Sequence, residues 1–130
     1  MKIKFVTLTQ ALAIHEQQSC MFDSATGIID AGKLESALYR PVNIANYNAD
    51  ATICELAAAL GYGVAINHPF LDGNTNTAFV IMAVFLEINR VRLIASEADV
   101  INIMLGIATG KTSEKMLSNW LEENISIGDN

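Results

Sequence analysis

Between Asn74 and Asn89 the chain carries apolar side chains nearly all the way round a helix: Ala78, Phe79, Ile81, Met82, Ala83, Val84, Phe85, Leu86 and Ile88. Such a helix has no face suited to water, so other helices must surround it. Met82 and Phe85 read as core packing. The segment that feeds the helix is His68-Pro-Phe-Leu-Asp-Gly-Asn-Thr-Asn-Thr-Ala78. Pro69 and Gly73 disfavour helix through it. His68 and Asp72 therefore sit on a short loop at a helix N-terminus. The first amides of a helix are unpaired and carry partial positive charge, which makes an anion site. His68 offers a base and Asp72 a carboxylate for a divalent cation. Base, metal ligand and anion hole on one loop suggest phosphoryl-type chemistry. The plainer alternative is a buried helix capped by Asp72 or Asn74, with a packed histidine.

The other motifs agree with a known family. H-P-F-L-D-G-N-T-N-T-A resembles the core motif of the Fic/Doc family, and most nearly that of death-on-curing (Doc) toxins, H-x-F-x-D/N-A/G-N-K-R-T-A. Gly27-Ile-Ile-Asp-Ala-Gly-Lys-Leu-Glu-Ser-Ala-Leu-Tyr-Arg-Pro41 resembles the G-I-x-D-x-G-x-L-E-S-A-L-x-R-P segment of that branch. Ala13-Ile-His15-Glu16 and Phe85-Leu-Glu-Ile-Asn89 match its usual text as well. The similarity runs from about residue 8 to 121.

The resemblance implies the following. Proteins of this kind bind ATP or another nucleotide with Mg²⁺. They transfer its AMP part (Fic) or its terminal phosphoryl group (Doc) to a hydroxyl of a target protein, such as a translation factor. Carried over, His68 is the base and Asp72 the Mg²⁺ ligand. Gly73 and Asn74 form the anion hole, with Thr75 and Asn76 beside the phosphates. Phe70 and Leu71 pack the loop on the core. A flap that holds the target peptide falls in residues 41–50, with Asn43, Asn46 and Tyr47 suited to main-chain hydrogen bonds. A small antitoxin-like protein is the implied partner.

Three departures matter. Thr75-Asn76 stands where the family has Lys-Arg, and Ile66 stands where many relatives have Arg. Of the basic residues Lys2, Lys4, Lys33, Arg40, Arg90, Arg92, Lys111 and Lys115, none lies between Arg40 and Arg90. A charge-assisted bond to phosphate is about twice as strong as a neutral one. Losing a transition-state arginine in phosphoryl transfer lowers the rate on the order of 10³–10⁵, roughly 4–7 kcal/mol. The expectation is a Doc-like protein with weakened or silent transfer, unless Arg40, Arg90 or a partner supplies a cation. The alternative is a non-catalytic binding module of the same fold.

The 130 residues suit one domain with its core at about 8–121. The apolar run 78–86 is far shorter than the ~20 residues of a membrane span. No apolar stretch followed by small residues marks a signal peptide at the N-terminus. Cys20 and Cys54 lack metal-ligand spacing and read as reduced core thiols of a cytoplasmic protein. Fourteen acidic against eight basic residues, net −6, disfavour nucleic acid.

Hydrophobic period and capping residues predict an all-α domain of about six helices around one buried central helix, with a short terminal β pair. The helices are expected at about 9–20, 31–39, 51–66, 74–89, 97–109 and 113–123. Leu8, Ala11, Leu12 and Ile14 form the apolar side of the first. On it His15 reads as a structural histidine bonding to a neighbouring loop. Arg40-Pro41 ends the second, and 41–50 is an exposed loop. Asp50 caps the third, or Thr52 and Glu55 do so as a capping box. Gly61 and Gly63 in it suggest close approach of a neighbour. Ser96 and Thr112 or Ser113 cap the last two. Residues 2–6 alternate as a short strand or arm with 91–93 as a possible partner, and 125–130 reads as a frayed tail.

Overall fold

A computed structural model describes residues 2–22 and 27–128. Among them are six helices and one small sheet: α1 (Leu8–Met21), α2 (Ala31–Tyr47), α3 (Ile53–Asn67), α4 (Asn74–Ile88), β1 (Val91–Leu93), α5 (Glu97–Ala108), α6 (Glu114–Glu123) and β2 (Ile125–Ile127). The all-α expectation is met. Side-chain caps start most helices where the sequence places them. Thr7 and Thr52 form reciprocal capping boxes with Gln10 and Glu55, so Thr52 rather than Asp50 begins α3. Asp30, Ser96 and Ser113 each accept a main-chain N–H at the start of α2, α5 and α6.

The most deeply buried helix is α3, not α4. Ten of its residues are buried, among them Ala57, Ala58, Ala59, Gly61 and Gly63. Six residues of α4 are buried, while Phe79, Val80, Ala83 and Val84 stay partly accessible. The reason is size. Small side chains along α3 let α2, α4, α5 and α6 all close on it. A Cβ at Gly61 would lie 2.7 Å from Met82 Sδ and 3.1 Å from Met82 Cβ, so the glycine fixes the approach of α3 to α4.

Helix α2 does not stop at Arg40. It continues through Pro41 to Tyr47, so the loop expected over 41–50 is mostly helix. Interior proline costs about 3 kcal/mol by removing a helix bond. The apolar stripe Leu34, Ala37, Leu38, Pro41, Ile44 and Ala45 runs straight through it and packs against the core. That burial outweighs the local penalty. Arg40 bridges three helices: Nη1 donates to Ala59 O at 2.8 Å, and Nη2 meets Glu114 Oε1 at 2.6 Å.

The sheet differs from expectation as well. Val91–Leu93 pairs antiparallel with Ile125–Ile127, with Arg92 opposite Ser126. Residues 125–127 are thus a strand, not tail. The N-terminal arm is extended but unpaired as a strand. Asn89 holds it instead: its Oδ1 accepts from Lys4 N and its Nδ2 donates to Lys4 O, both at 2.9 Å. Residues 23–26, between the first two helices, and the last two residues of the tail expected at 125–130 lie outside the described residues.

Candidate functional site

The motif loop joins α3 to α4. His68 is the C-cap of α3 with φ 49°, ψ 55°, a left-handed conformation. Pro69, which has no N–H to continue the helix, turns the chain away. Gly73, also left-handed at φ 72°, is the N-cap of α4. Alone among the described helices, α4 has no side-chain cap. The capping alternative for Asp72 or Asn74 is therefore not what forms. The first bond of the helix runs from Thr77 N to Gly73 O, 2.9 Å. The amides of Asn74, Thr75 and Asn76 precede it and have no partner within the helix.

The Asn74 side chain has another task. Its Oδ1 accepts from Phe70 N at 2.9 Å and its Nδ2 donates to Phe70 O at 3.0 Å. It closes the loop as a paired strand residue would. Asp72 Oδ1 accepts from Gly73 N at 2.8 Å, and the carboxylate is exposed. His68, Leu71, Asp72, Gly73, Asn74, Thr75 and Asn76 together line one open depression of about 350 Å³. No Lys or Arg is among them. Thr75 and Asn76 bring neutral donors to the helix N-terminus.

Beneath the loop, Phe70 is 1% exposed. It stacks on His15 with ring centroids 3.8 Å apart and planes 10° from parallel. His15 is buried; its Nδ1 lies 3.0 Å from Thr77 Oγ1 and its Nε2 3.4 Å from Ser19 Oγ. Burial pushes its pKa below the ordinary value, against the opposing pull of the Asp72 carboxylate. Of the two histidines, the packed one is thus His15, and His68 is exposed. The buried side of α1 is Ala11, His15 and Ser19, whereas Leu12 is 39% exposed. That i, i+4, i+8 spacing was the available signal for His15 as support of the loop.

One wall of the loop is residues 27–30. Ile29 N and Asp30 N donate to Pro69 O at 2.8 and 3.2 Å, and Leu71 N donates to Gly27 O at 3.1 Å. Ile28 and Phe70 form an antiparallel bridge. Asn67 Nδ2 donates to Lys33 O at 3.0 Å, locking the first turn of α2 to the end of α3. The strand-like neighbour of the motif is therefore 27–30. The segment expected as a flap is not a loop: Asn43, Asn46 and Tyr47 are exposed on the last turns of α2. Arg40, engaged by Ala59 and Glu114, is likewise no loose cation. Arg90 follows α4 at the end opposite the motif, about 22 Å along a 15-residue helix.

A loop of this construction, set between a small-residue helix and an uncapped buried one, is matched by the model of the Fic/DOC family over residues 5–86. The chain belongs to that family. It is also 36% identical over 78 residues to Toxin Doc of Mycolicibacterium smegmatis (strain ATCC 700084 / mc(2)155). The matched stretch spans 59% of this chain and 60% of that protein's length.

No helix among the described residues is long and apolar enough to cross a membrane. Of the cysteines, Cys54 is buried, but Cys20 is exposed and so is no core thiol. Burial and the neighbouring Glu122 carboxylate push the Cys54 thiol up to about 12.

Proposed function

We propose that this chain is a Doc-like toxin-type protein whose nucleotide-dependent transfer to a protein hydroxyl is weakened by the loss of its motif cations. The observation that carries the proposal is the lining of the motif depression: His68, Asp72 and the amides of α4, with no cation. In the reaction, a target hydroxyl oxygen bonds to phosphorus as the bond from phosphorus to the leaving oxygen breaks, releasing a nucleoside diphosphate in phosphoryl transfer or pyrophosphate in AMP transfer. The hydroxyl proton passes to His68, which is exposed at the rim and free of the buried stack below. The α4 amides face the anion. Asp72 suits Mg²⁺ that arrives on a nucleotide, because Mg²⁺ accepts one carboxylate alongside phosphates and waters. An all-protein metal site would need more ligands, and no group of three His, Cys, Asp or Glu converges among the described residues. When bound, Mg²⁺ would neutralise phosphate charge.

Phosphoryl and AMP transfer differ in which end of the nucleotide meets His68, and both use this loop. The name of the relative from M. smegmatis favours the toxin context, and with it an antitoxin-like partner of basic charge opposite this chain's net −6. Ile28, Ile29 and Leu71, exposed beside the motif, offer such a partner apolar contacts. The cation-free lining also favours a second reading, a binding module of the same fold without transfer.

Heating with and without nucleotide and Mg²⁺ separates the two. A site at 100 times its Kd gains about 2.7 kcal/mol. Weak, Asp72-dependent stabilisation at millimolar nucleotide, with slow His68-dependent labelling of protein, supports the proposal. No stabilisation at any concentration leaves the binding module.

A further inference from the structure

Helix α5 leaves an apolar face uncovered on the molecule. Ala98, Ile101, Leu105 and Ala108 are all exposed, with Ile101 and Leu105 each at 57%. Their spacing of three, four and three residues is the seam of a two-helix coil, in which apolar positions alternate at that interval. The helix buries Met104 and Ile107 on its other side, so the seam is surplus to the core. Ile94, 60% exposed, precedes it.

We propose that this face pairs with the same face of a second copy of the chain, the two α5 helices running antiparallel about a two-fold axis near residue 103. Three observations favour this occupant. The seam is palindromic: 98 and 108, like 101 and 105, are centred on 103. A two-fold axis there sets Ile101 against Leu105 of the other copy and Ala98 against Ala108, large with large and small with small. A self-complementary patch of this kind is what an isologous contact requires. Beside the middle and end of the seam Asn102 and Thr109 are uncharged, so acidic residues flank only its first turn, at Glu97 and Asp99. The ends are complementary: Glu97 and Asp99 open the helix, and exposed Lys111 follows its close. Antiparallel pairing brings each acidic end towards the other copy's Lys111, and the helix dipoles oppose. The pairing does not depend on the reading of the motif loop, which lies on a different part of the chain.

One helix face is smaller than a standard interface, which totals about 1,200–2,000 Å². The dimer should therefore form reversibly with concentration. Sedimentation equilibrium on the chain alone should show mass rising towards twice the monomer as concentration approaches about 1 mM. Ile101→Glu with Leu105→Glu should weaken association at least tenfold. Both side chains are exposed, so the helical circular dichroism should be unchanged. Register is tested by cross-linking in a Cys20→Ser background. Ala98→Cys combined with Ala108→Cys should form a disulfide-linked dimer, and Ala98→Cys alone should not. A chain monomeric throughout that range overturns the proposal, as does a dimer indifferent to the two glutamates or linked through Ala98→Cys alone. A chain that stays monomeric and loses exposure of α5 only with a different protein bound also overturns it.

Discussion

Phe70 is held in three ways: its ring by His15, its main chain by the Asn74 amide, and its strand-like side by Ile28. The loop that carries His68 and Asp72 is thus fixed from below by the buried pair Phe70 and His15. His15→Ala should remove the stack and leave Thr77 without that partner, costing about 1–3 kcal/mol. Urea denaturation measures it; a loss under about 0.5 kcal/mol would mean that the stack does not hold the loop. The pKa of His15 also fixes a sign. The folded state holds the proton less tightly than the unfolded chain. Its contribution is full above the unfolded value near 6.5 and is lost as pH falls below it. Stability at pH 5.5 should therefore drop less, relative to pH 7.5, in His15→Gln than in the parent. Equal drops in the two would show that His15 does not carry the effect. The cysteines make a separate case. Cys20 is exposed, and Cys54 is buried with its thiol held near 12. The thiolate is the reactive form, so iodoacetamide at pH 8 should label Cys20 in minutes and Cys54 only after unfolding. Equal labelling of both in the native protein would contradict the burial of Cys54.

At the scale of elements, helix starts were legible because they are local chemistry. Thr52 with Glu55, Asp30, Ser96 and Ser113 each cap where their own side chains reach. The end of α2 was not, because Pro41 is a local stop signal that a non-local surface overrides. The stripe from Leu34 to Ala45 carries the signal for continuation, and the proline hides it. The pairing of β1 was also misjudged for a non-local reason. Residues 2–6 and 125–127 both alternate, and only tertiary placement decides that Asn89 tethers the first while the second pairs. Gly61 was read correctly as a point of close approach. Gly61→Ala gains about 1 kcal/mol of helix propensity but puts a carbon 3.1 Å from Met82 Cβ, which no rotamer of Met82 moves. Overpacking of this kind costs about 1–3 kcal/mol. The variant should be net destabilised, and Gly61→Ala should cost less when made in a Met82→Ala background, which removes the Sδ and Cγ contacts, than when made in the parent. A stabilised Gly61→Ala would show that α3 and α4 part easily.

Over the whole molecule, charge and geometry point in different directions. The fold builds an anion-facing loop, with left-handed His68 and Gly73 at its corners and three free amides at α4. The charges oppose an anion there. The chain is net −6, Arg40 is engaged by Glu114, and Arg90 follows the far end of α4. The loop's construction was legible in the motif, since Pro69 and Gly73 dictate it. His15 was legible as a structural histidine beside a loop, but its stack on Phe70 and the support from residues 27–30 were not, because those partners lie far apart in sequence. The proposal for the motif loop is that Thr75 and Asn76, being uncharged, weaken nucleotide binding. The direct measurement is the calorimetric affinity for ATP with Mg²⁺ of the parent, of Thr75→Lys with Asn76→Arg, and of that double variant carrying Asp72→Ala. Two charge-assisted contacts at about 1.5–3 kcal/mol each should tighten binding at least a hundredfold, and Asp72→Ala should reverse much of the gain. A parent that already binds as tightly as the double variant, or a double variant with no gain, would contradict the account.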